Sequence, residues 1–342
     1  MSEIRLLERG EEETWTRFTE SSPEALLGHR IEWRDVFENE LGHSARYLVA
    51  EEGGAVRGVL PLMRVSGLVG GRALVSLPWL DAAGPLARDS DTAADLLARA
   101  TTIAREEGCA YLEVRSLEEH PGTRPVRTHK VLLVLPLDEP RRMWEGFSAK
   151  VRNQVRKAER EGVTGEAGGE EKLPDFYRVF SRNMRDIGVP VWGESFFRGI
   201  LRSMGAGARL LVVRFRGSPI GGALLLLHGG AAIVPSASSL RSHFALCPNH
   251  MLYWTAIQEA WASGARLFDF GRSTRGSGTH HFKSQWGASE RPCYWHYALL
   301  RTAGIPEKST ESPRLRWAVE VWKRLPVPLA NRLGPFLARR IP

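Results

Sequence analysis

The chain has 342 residues, 43% of them hydrophobic and 25% charged, and a net charge of +8. Such a chain can bury a sizeable core in one large domain or two ordinary ones, as a soluble globular protein does. Cys109, Cys247 and Cys293 are odd in number and far apart, which argues against a disulfide framework and for a reducing compartment.

The start, MSEIRLLERGEEETW, lacks the basic-then-apolar pattern of a secretion signal, so the expected location is cytoplasmic. Arg46–Ala50 and Val56–Val65 read as a hairpin about the EEGG turn, and Ala73–Leu77 as a third strand. Thr92–Glu107 has helical spacing, with Leu96, Leu97, Ala100 and Ile103 on one side and Gly108 as a stop. Tyr111–Val114 and Val131–Leu135 are further strands. The second half repeats this order. Leu173–Asp186 and Glu194–Met204 read as helices, and Arg209–Phe215, Ile220–Leu227 and Ala231–Ser236 as strands. The longest apolar region, Ile220–Val234, is broken by His228, Gly229 and Gly230, so it reads as two strands about a turn rather than a membrane span. Pro248–Ser263 is a helix stopped by Gly264, and Leu267–Phe270 and Tyr294–Leu299 are strands.

Two stretches match in form. GCAYLEVRS (Gly108–Ser116) and GARLFDFGRS (Gly264–Ser273) each follow a helix and end in Arg-Ser. The hairpins before them, AEEGGAVRGVLPL and RFRGSPIGGALLL, also match. The chain therefore reads as two copies of a hairpin-helix-strand unit joined near residue 140, with mixed sheets of the α/β or α+β class. After residue 300 proline recurs at Pro306, Pro313, Pro326, Pro328 and Pro335, between two short helices, Leu315–Leu325 and Leu329–Arg339. Trp317, Val321 and Leu325 fall at helical spacing, as do Leu329, Leu333 and Phe336 with Leu337. These faces either pack on the body or lie on an anionic bilayer; packing is the expectation.

The positive charge is uneven. Residues 141–160 hold seven Lys or Arg against two Glu, and residues 303–342 hold eight against three. Clustered charge favours a polyanionic partner such as nucleic acid, a nucleotide-sugar or an anionic membrane; solvated helix faces are the alternative. In the first zone Phe147, Val151, Val155 and Ala158 form an apolar stripe, while Arg152, Arg156 and Arg160 sit four apart beside Asn153 and Lys157. Such a row can straddle phosphates, and Arg offers bidentate geometry.

The densest chemistry lies in FDFGRSTRGSGTHHFKSQWG, Phe268–Gly287. This loop is a structural turn, a phosphate cradle or the floor of an active site. Cradles use glycines before a helix, and here no helix is expected to follow; no Walker-type motif occurs. His243, Cys247 and His250, or His280 with His281, lack convincing zinc spacing, so no metal is expected. No GxSxG elbow supports a serine hydrolase. Lys283 lies between Phe282 and Trp286. Among aromatics an ammonium is partly desolvated and can face an oxyanion. Alternatively, Asp269 pairs with Arg272 to fix the turn and Lys283 snorkels to water.

The run FDFGRSxxGxGxxxFKxxWG resembles the C-terminal signature of FemAB-like proteins, closest to the subgroup found with exosortase/PEP-CTERM systems. KVRNQVRKAEREGV (Lys150–Val163), MRDIGVPVWGESFF (Met184–Phe197) and the ending WKRLPVPLANRLGPFLAR resemble other segments of that subgroup. The resemblance implies two tandem GNAT-like domains (the acyl-CoA N-acyltransferase fold), which agrees with the repeat, and a helical basic tail. The boundaries are then 1–140, 141–302 and 303–342. It implies transfer of an acyl or aminoacyl group to an amine of a peptidoglycan- or exopolysaccharide-related precursor, nucleotide- or lipid-linked. Its Phe-Lys pair, here Phe282 and Lys283, would lie at the reacting ester. Classical members that grip charged tRNA often carry an arm of two long helices, whereas Lys150–Gly162 is short. The co-substrate that the resemblance implies is aminoacyl-tRNA or acyl-CoA, and no tightly bound cofactor is expected.

On this reading Lys283 stabilises the oxyanion, and Asp269 or His281 moves the proton. Phe282, Trp286, Arg272, Lys150, Arg152, Asn153 and Arg156 bind substrate. The alternatives are an acyl-CoA-dependent N-acyltransferase, or a non-catalytic scaffold of an export system whose tail touches the inner membrane.

Overall fold

The computed structural model describes residues 2–67, 71–120, 125–305 and 316–341. The chain builds two compact units. The first holds the residues up to Lys130, takes the chain back from Pro292, and includes the last residues from Arg339. The second holds Val131–Arg291 and the C-terminal helices as far as Ala338.

In the first unit, Ser44–Ala45, Met63–Ser66, Arg72–Val75, Tyr111–Ser116, Tyr294–Leu299 and Val126–Arg127 form a six-stranded sheet, in that order. Glu3–Leu6, Leu48–Glu52, Ala55–Leu60 and Leu86–Ala87 form a smaller one. The expected strand Val56–Val65 is thus divided between two sheets. The break falls at Pro61, which has no N–H to continue a ladder. The helix Ser90–Glu106 is capped by the Asp89 carboxylate, which accepts from the Thr92 N–H at 2.8 Å. It buries Leu96, Leu97, Ala100, Ile103 and Ala104 and leads into Tyr111–Ser116.

In the second unit a meander of Val163–Gly168, Ala208–Phe215, Ser218–His228 and Ala231–Ser239 is followed by Leu267–Thr274, Lys130–Pro136 and Ser289–Pro292 in one seven-stranded sheet. The central meander strands Ala208–Phe215 and Ser218–His228 are largely buried because helices pack on both faces. The helix Leu173–Ile187 buries Leu173, Phe176, Val179 and Phe180. Phe176 and Phe180 meet Phe197 of the helix Glu194–Met204 edge-to-face, with ring centroids 5.0 Å apart in each case. Pro248–Ala262 is buried along most of its length, through Met251, Leu252, Tyr253, Trp254, Ala256, Ile257 and Ala260. It packs on the sheet and on the basic helix Ala149–Arg160, which accounts for its lack of a polar face.

The repeat is present in both units: hairpin strands, a helix, then a strand parallel to the last hairpin strand. The closing strands, however, are exchanged relative to a division at 140. Lys130–Pro136 lies beside Leu267–Thr274. Tyr294–Leu299 pairs antiparallel with Tyr111–Ser116, from Tyr294↔Ser116 to Leu299↔Tyr111. Alternating apolar residues specify that a strand is half-buried but not which neighbour it takes.

The tail also departs from expectation. Its helices are Arg316–Lys323 and Val327–Ala338; Pro306, Pro313 and Leu315 lie outside the described residues. Both pack on Leu173–Ile187 as part of the second unit. Arg185 Nη1 donates to the carbonyl of Leu325 at 2.9 Å, and Asn331 Nδ2 donates to Ser181 Oγ at 3.3 Å. The buried face of the last helix consists of Ala330, Gly334 and Ala338. A Cβ on Gly334 would lie 2.8 Å from Val191, so small residues are what let this helix dock. Leu329, Leu333 and Phe336, expected to pack, are exposed.

Cutting the chain at 140 strips Tyr111–Ser116 of its covering strand. Residues 1–140 alone are expected to show no cooperative thermal transition by circular dichroism, whereas the full chain shows one. A sharp transition in the fragment would contradict the need for the returning strand.

Candidate active site

In the second unit Ala231–Ser239 and Leu267–Thr274 run parallel, joined through the helix Pro248–Ala262. They pair from Ala231↔Leu267 to Ile233↔Asp269, where the register ends although both strands continue. Asp269 stands at this parting point, buried, and its Oδ1 accepts from the Gly271 N–H at 2.7 Å. Gly271 has φ +74°, a conformation glycine adopts without steric cost. Just past this kink, the carbonyls of Gly271 and Arg272 accept hydrogen bonds from Lys283 Nζ at 2.8 and 3.0 Å.

Lys283 is 8% exposed, so it does not snorkel to water. It sits on a short helix, Gly278–Ser284, where none was expected. Ser277 starts that helix, its Oγ accepting from the His280 N–H at 3.3 Å. The glycines read as a loop therefore serve as the approach to a capped turn.

An aromatic group packs beside this helix. The Phe282 ring is 5.4 Å from Tyr253 and 6.4 Å from Trp286, and Trp286 is 5.3 Å from Phe147 and 6.3 Å from Phe270. His250, on the first turn of Pro248–Ala262, meets Phe282 edge-on at 5.1 Å and lies 6.1 Å from Trp286. Burial, reinforced by the Lys150 ammonium, holds the His250 imidazole down to about 4, so it is neutral at physiological pH. Burial and the Asp269 charge push the Tyr253 phenol well above its ordinary value. His250 Nε2 and Trp286 Nε1 are buried and make no hydrogen bond. From the sequence His250 stands out only as a candidate metal ligand beside His243 and Cys247. Its place three residues into a helix facing the Phe-Lys turn was not legible from spacing.

The basic helix is capped by Ser148, whose Oγ accepts from the Val151 N–H at 3.3 Å, and it buries Val151, Val155 and Ala158. Cys247 Sγ donates to Gln154 Oε1 at 2.6 Å, tying this helix to the start of Pro248–Ala262. Arg152 Nη1 donates to the Glu145 carbonyl at 2.8 Å, and the Arg156 guanidinium lies 5.5 Å from the Trp144 ring. Lys150 and Asn153 are exposed. Among the described residues, no carboxylate forms an ion pair with Lys150, Arg152, Arg156, Lys157 or Arg160.

The structure thus brings together Asp269, Lys283, the Arg272 main chain, Phe282 and Trp286, and it adds His250 with Lys150 nearby. It does not bring His281 into this group. That residue is exposed, its ring 5.7 Å from His280, and His280 Nε2 pairs with Glu290 at 2.7 Å. Arg152 and Arg156 turn toward the helix Pro140–Gly146. Among the described residues, no group of three or more His, Cys, Asp or Glu could hold a metal ion.

The matching place in the first unit is closed. Arg72–Val75 and Tyr111–Ser116 pair as far as Val75↔Glu113. Bonding then continues, from Ser76 N–H to the Glu113 carbonyl at 2.9 Å and from Arg115 N–H to Ser76 Oγ at 2.8 Å. The Arg115 guanidinium, which corresponds in the repeat to Arg272, is buried. It pairs with Glu113 at 2.7 Å, donates to the carbonyls of Pro78 and Leu80, and lies 4.5 Å from the Trp295 ring. A buried guanidinium so fully bonded is costly to disturb.

Residues 146–284, which take in the basic helix, the parting strands and the lysine helix, match the family described as Acetyltransferase (GNAT) domain. This stretch is a GNAT domain. With it the protein is a transferase. No curated protein matches the chain in sequence. Among solved structures it is similar to FemX, at 16% identity over 86% of this chain and 96% of that one, with a TM-score of 0.66. It is also similar to a tandem GNAT protein from the clavulanic acid biosynthesis pathway (14%, 90% and 100%, TM-score 0.59). A third is the C-terminal domain (DUF2156) of an Agrobacterium fabrum protein assigned as a lysylphosphatidylglycerol synthetase (15%, 86% and 92%, TM-score 0.56). At these identities the likeness is one of fold: mixed α/β, with two GNAT-like domains in tandem.

His250 gives a test of the site's electrostatics. Unfolded, the imidazole takes its proton near 6.5; folded, near 4. The unfolded state therefore binds more protons across that interval, and His250 costs stability as pH falls from about 6.5 toward 4. NMR titration of its ring protons is expected to give a midpoint below 5, and Lys150→Ala to move it upward. A midpoint near 6.5 in the parent chain would contradict the burial described.

Proposed function

We propose that the second unit transfers an activated acyl or aminoacyl group to an amine of a cell-envelope precursor, nucleotide- or lipid-linked and related to peptidoglycan or exopolysaccharide. The observation that carries this reading is the buried Lys283 ammonium, fixed on the Gly271 and Arg272 carbonyls where the strands part, inside the GNAT domain. The resemblance to FemAB-like proteins of the exosortase/PEP-CTERM subgroup, and the fold shared with FemX, support the choice of acceptor.

The acceptor nitrogen forms a bond to the donor carbonyl carbon, and the leaving oxygen or sulfur departs. A fixed cation at Lys283 offsets the negative charge that builds on the carbonyl oxygen. Asp269 takes the proton shed by the amine, and the neutral His250 imidazole is the second group able to do so. His281, exposed, has no part in this step. Arg272, Phe282 and Trp286 contact the reacting end, while Lys150, Arg152, Asn153 and Arg156 hold phosphates of donor or acceptor. Because Arg115 closes the matching place in the first unit, transfer belongs to the second unit alone.

Acyl-CoA is the favoured donor over aminoacyl-tRNA. Beyond Ile233↔Asp269 the parted strands leave main-chain groups unpaired with one another, suited to an extended arm bearing amides. On these same strands the Ser239 and Ser273 hydroxyls are buried without a partner. The longest helix among the described residues, Ser90–Glu106, has 17 residues, so they hold no arm of two long helices. On this reading the reaction takes place in the cytoplasm, with the protein peripheral to the inner membrane.

The test supplies radiolabelled acetyl-CoA or charged tRNA with an amine-bearing nucleotide-linked precursor. Lys283→Ala is expected to lower turnover about 100-fold or more. It also strands two buried carbonyls, at a cost of about 1–3 kcal/mol, so its thermal transition must be shown to persist. Near-normal turnover by a folded Lys283→Ala variant would end the assignment.

A further inference from the structure

Large apolar side chains left in water are unevenly spread along this chain. Among the described residues of the second unit they are Phe244, Trp317, Val321, Leu329, Leu333 and Phe336, five of them on the two C-terminal helices. On Arg316–Lys323 the inward side carries Trp322, and Val319 packs against Gly188. Trp317, 77% exposed, and Val321 lie one turn apart on the side away from these. On Val327–Ala338 the small residues Ala330, Gly334 and Ala338 face the unit, and Leu329, Leu333 and Phe336 run as a half-exposed i, i+4, i+7 stripe. This inverts the usual order, in which large residues are buried and small ones tolerated outside.

The polar residues around the stripe indicate what covers it. Residues 316–338 contain Arg316, Lys323, Arg324 and Arg332 against a single acid, Glu320. Lys323 is paired with that acid at 2.7 Å; Arg316, Arg324 and Arg332 are exposed. A protein partner with an apolar groove would not need this excess of arginine. Apolar side chains with an indole among them, flanked by cations, match the boundary between acyl chains and anionic headgroups. No helix among the described residues is long and apolar enough to cross a membrane, so this contact lies in the plane of the surface.

We infer that the outer faces of Arg316–Lys323 and Val327–Ala338 dock on an anionic lipid surface, with Trp317, Leu329, Leu333 and Phe336 entering the headgroup region and Arg324 and Arg332 pairing with lipid phosphates. This deepens the peripheral location proposed above and rests on it, but not on the transfer chemistry, since binding is read without turnover.

The test is flotation of the full chain with vesicles of one-third phosphatidylglycerol in phosphatidylcholine, against phosphatidylcholine alone. The expected result is about tenfold more bound protein on the anionic vesicles, falling with salt. Arg324→Glu with Arg332→Glu is expected to abolish the preference for anionic lipid. Leu333→Ser with Phe336→Ser is expected to cut flotation about tenfold with the thermal transition retained, since neither side chain is buried in the core. Equal binding to both vesicle types, or flotation unchanged by the serine pair, overturns the inference. So does a concentration-dependent dimer in sedimentation that the serine pair dissolves while the parent chain never floats, which would assign the stripe to a second copy.

Discussion

The second unit depends on one hydrogen-bonded cation. Lys283 Nζ joins the short helix Gly278–Ser284 to the kinked strand beside it through the carbonyls of Gly271 and Arg272. Those carbonyls turn toward it because Gly271 takes a positive φ, and Asp269 steadies the kink by accepting from the Gly271 N–H. A charged donor shared by two buried carbonyls is a strong and geometrically demanding contact. It fixes the helix that carries Phe282 and so sets the aromatic group around His250 and Trp286. On the reading proposed above, the ammonium that holds this fold together is also the one that serves the chemistry.

The two units show what a repeated sequence leaves open. Each ends its parallel strand in Arg-Ser, and in the first unit the arginine is drawn into the sheet. In the first unit Glu113 lies two residues before Arg115 on the same strand, and the chain at Pro78 and Leu80 turns its carbonyls onto the guanidinium. The corresponding pair in the second unit is Phe270 and Arg272, with an aromatic ring where the first unit has the acid.

Much of the fold was legible because burial imposes period. The stripe Leu96, Leu97, Ala100, Ile103 gave its helix, and the broken apolar run at His228–Gly230 gave its turn. Lys283, Asp269, Phe282 and Trp286 were legible because polar and aromatic residues crowded into twenty positions call for a reason. What stayed hidden depends on partners distant in sequence. Strand exchange, the turning of Arg152 onto Glu145, and the closeness of His250 to Phe282 leave no local pattern. The last helix misled because periodicity marks a stripe as apolar without saying which way it faces; only the fit of Gly334 on Val191 decides that.

The crossed strands bear on how the protein is made. A chain leaving the ribosome N-terminus first presents Tyr111–Ser116 long before Tyr294–Leu299 exists to cover it. The early half must therefore wait, with one edge of its sheet open, through the synthesis of nearly everything that follows. Exposed edges of this kind invite wrong neighbours, and chaperone capture during that interval is the natural safeguard. The halves, though alike, cannot be shuffled between genes as separate cassettes, because each is finished by a strand the other half encodes.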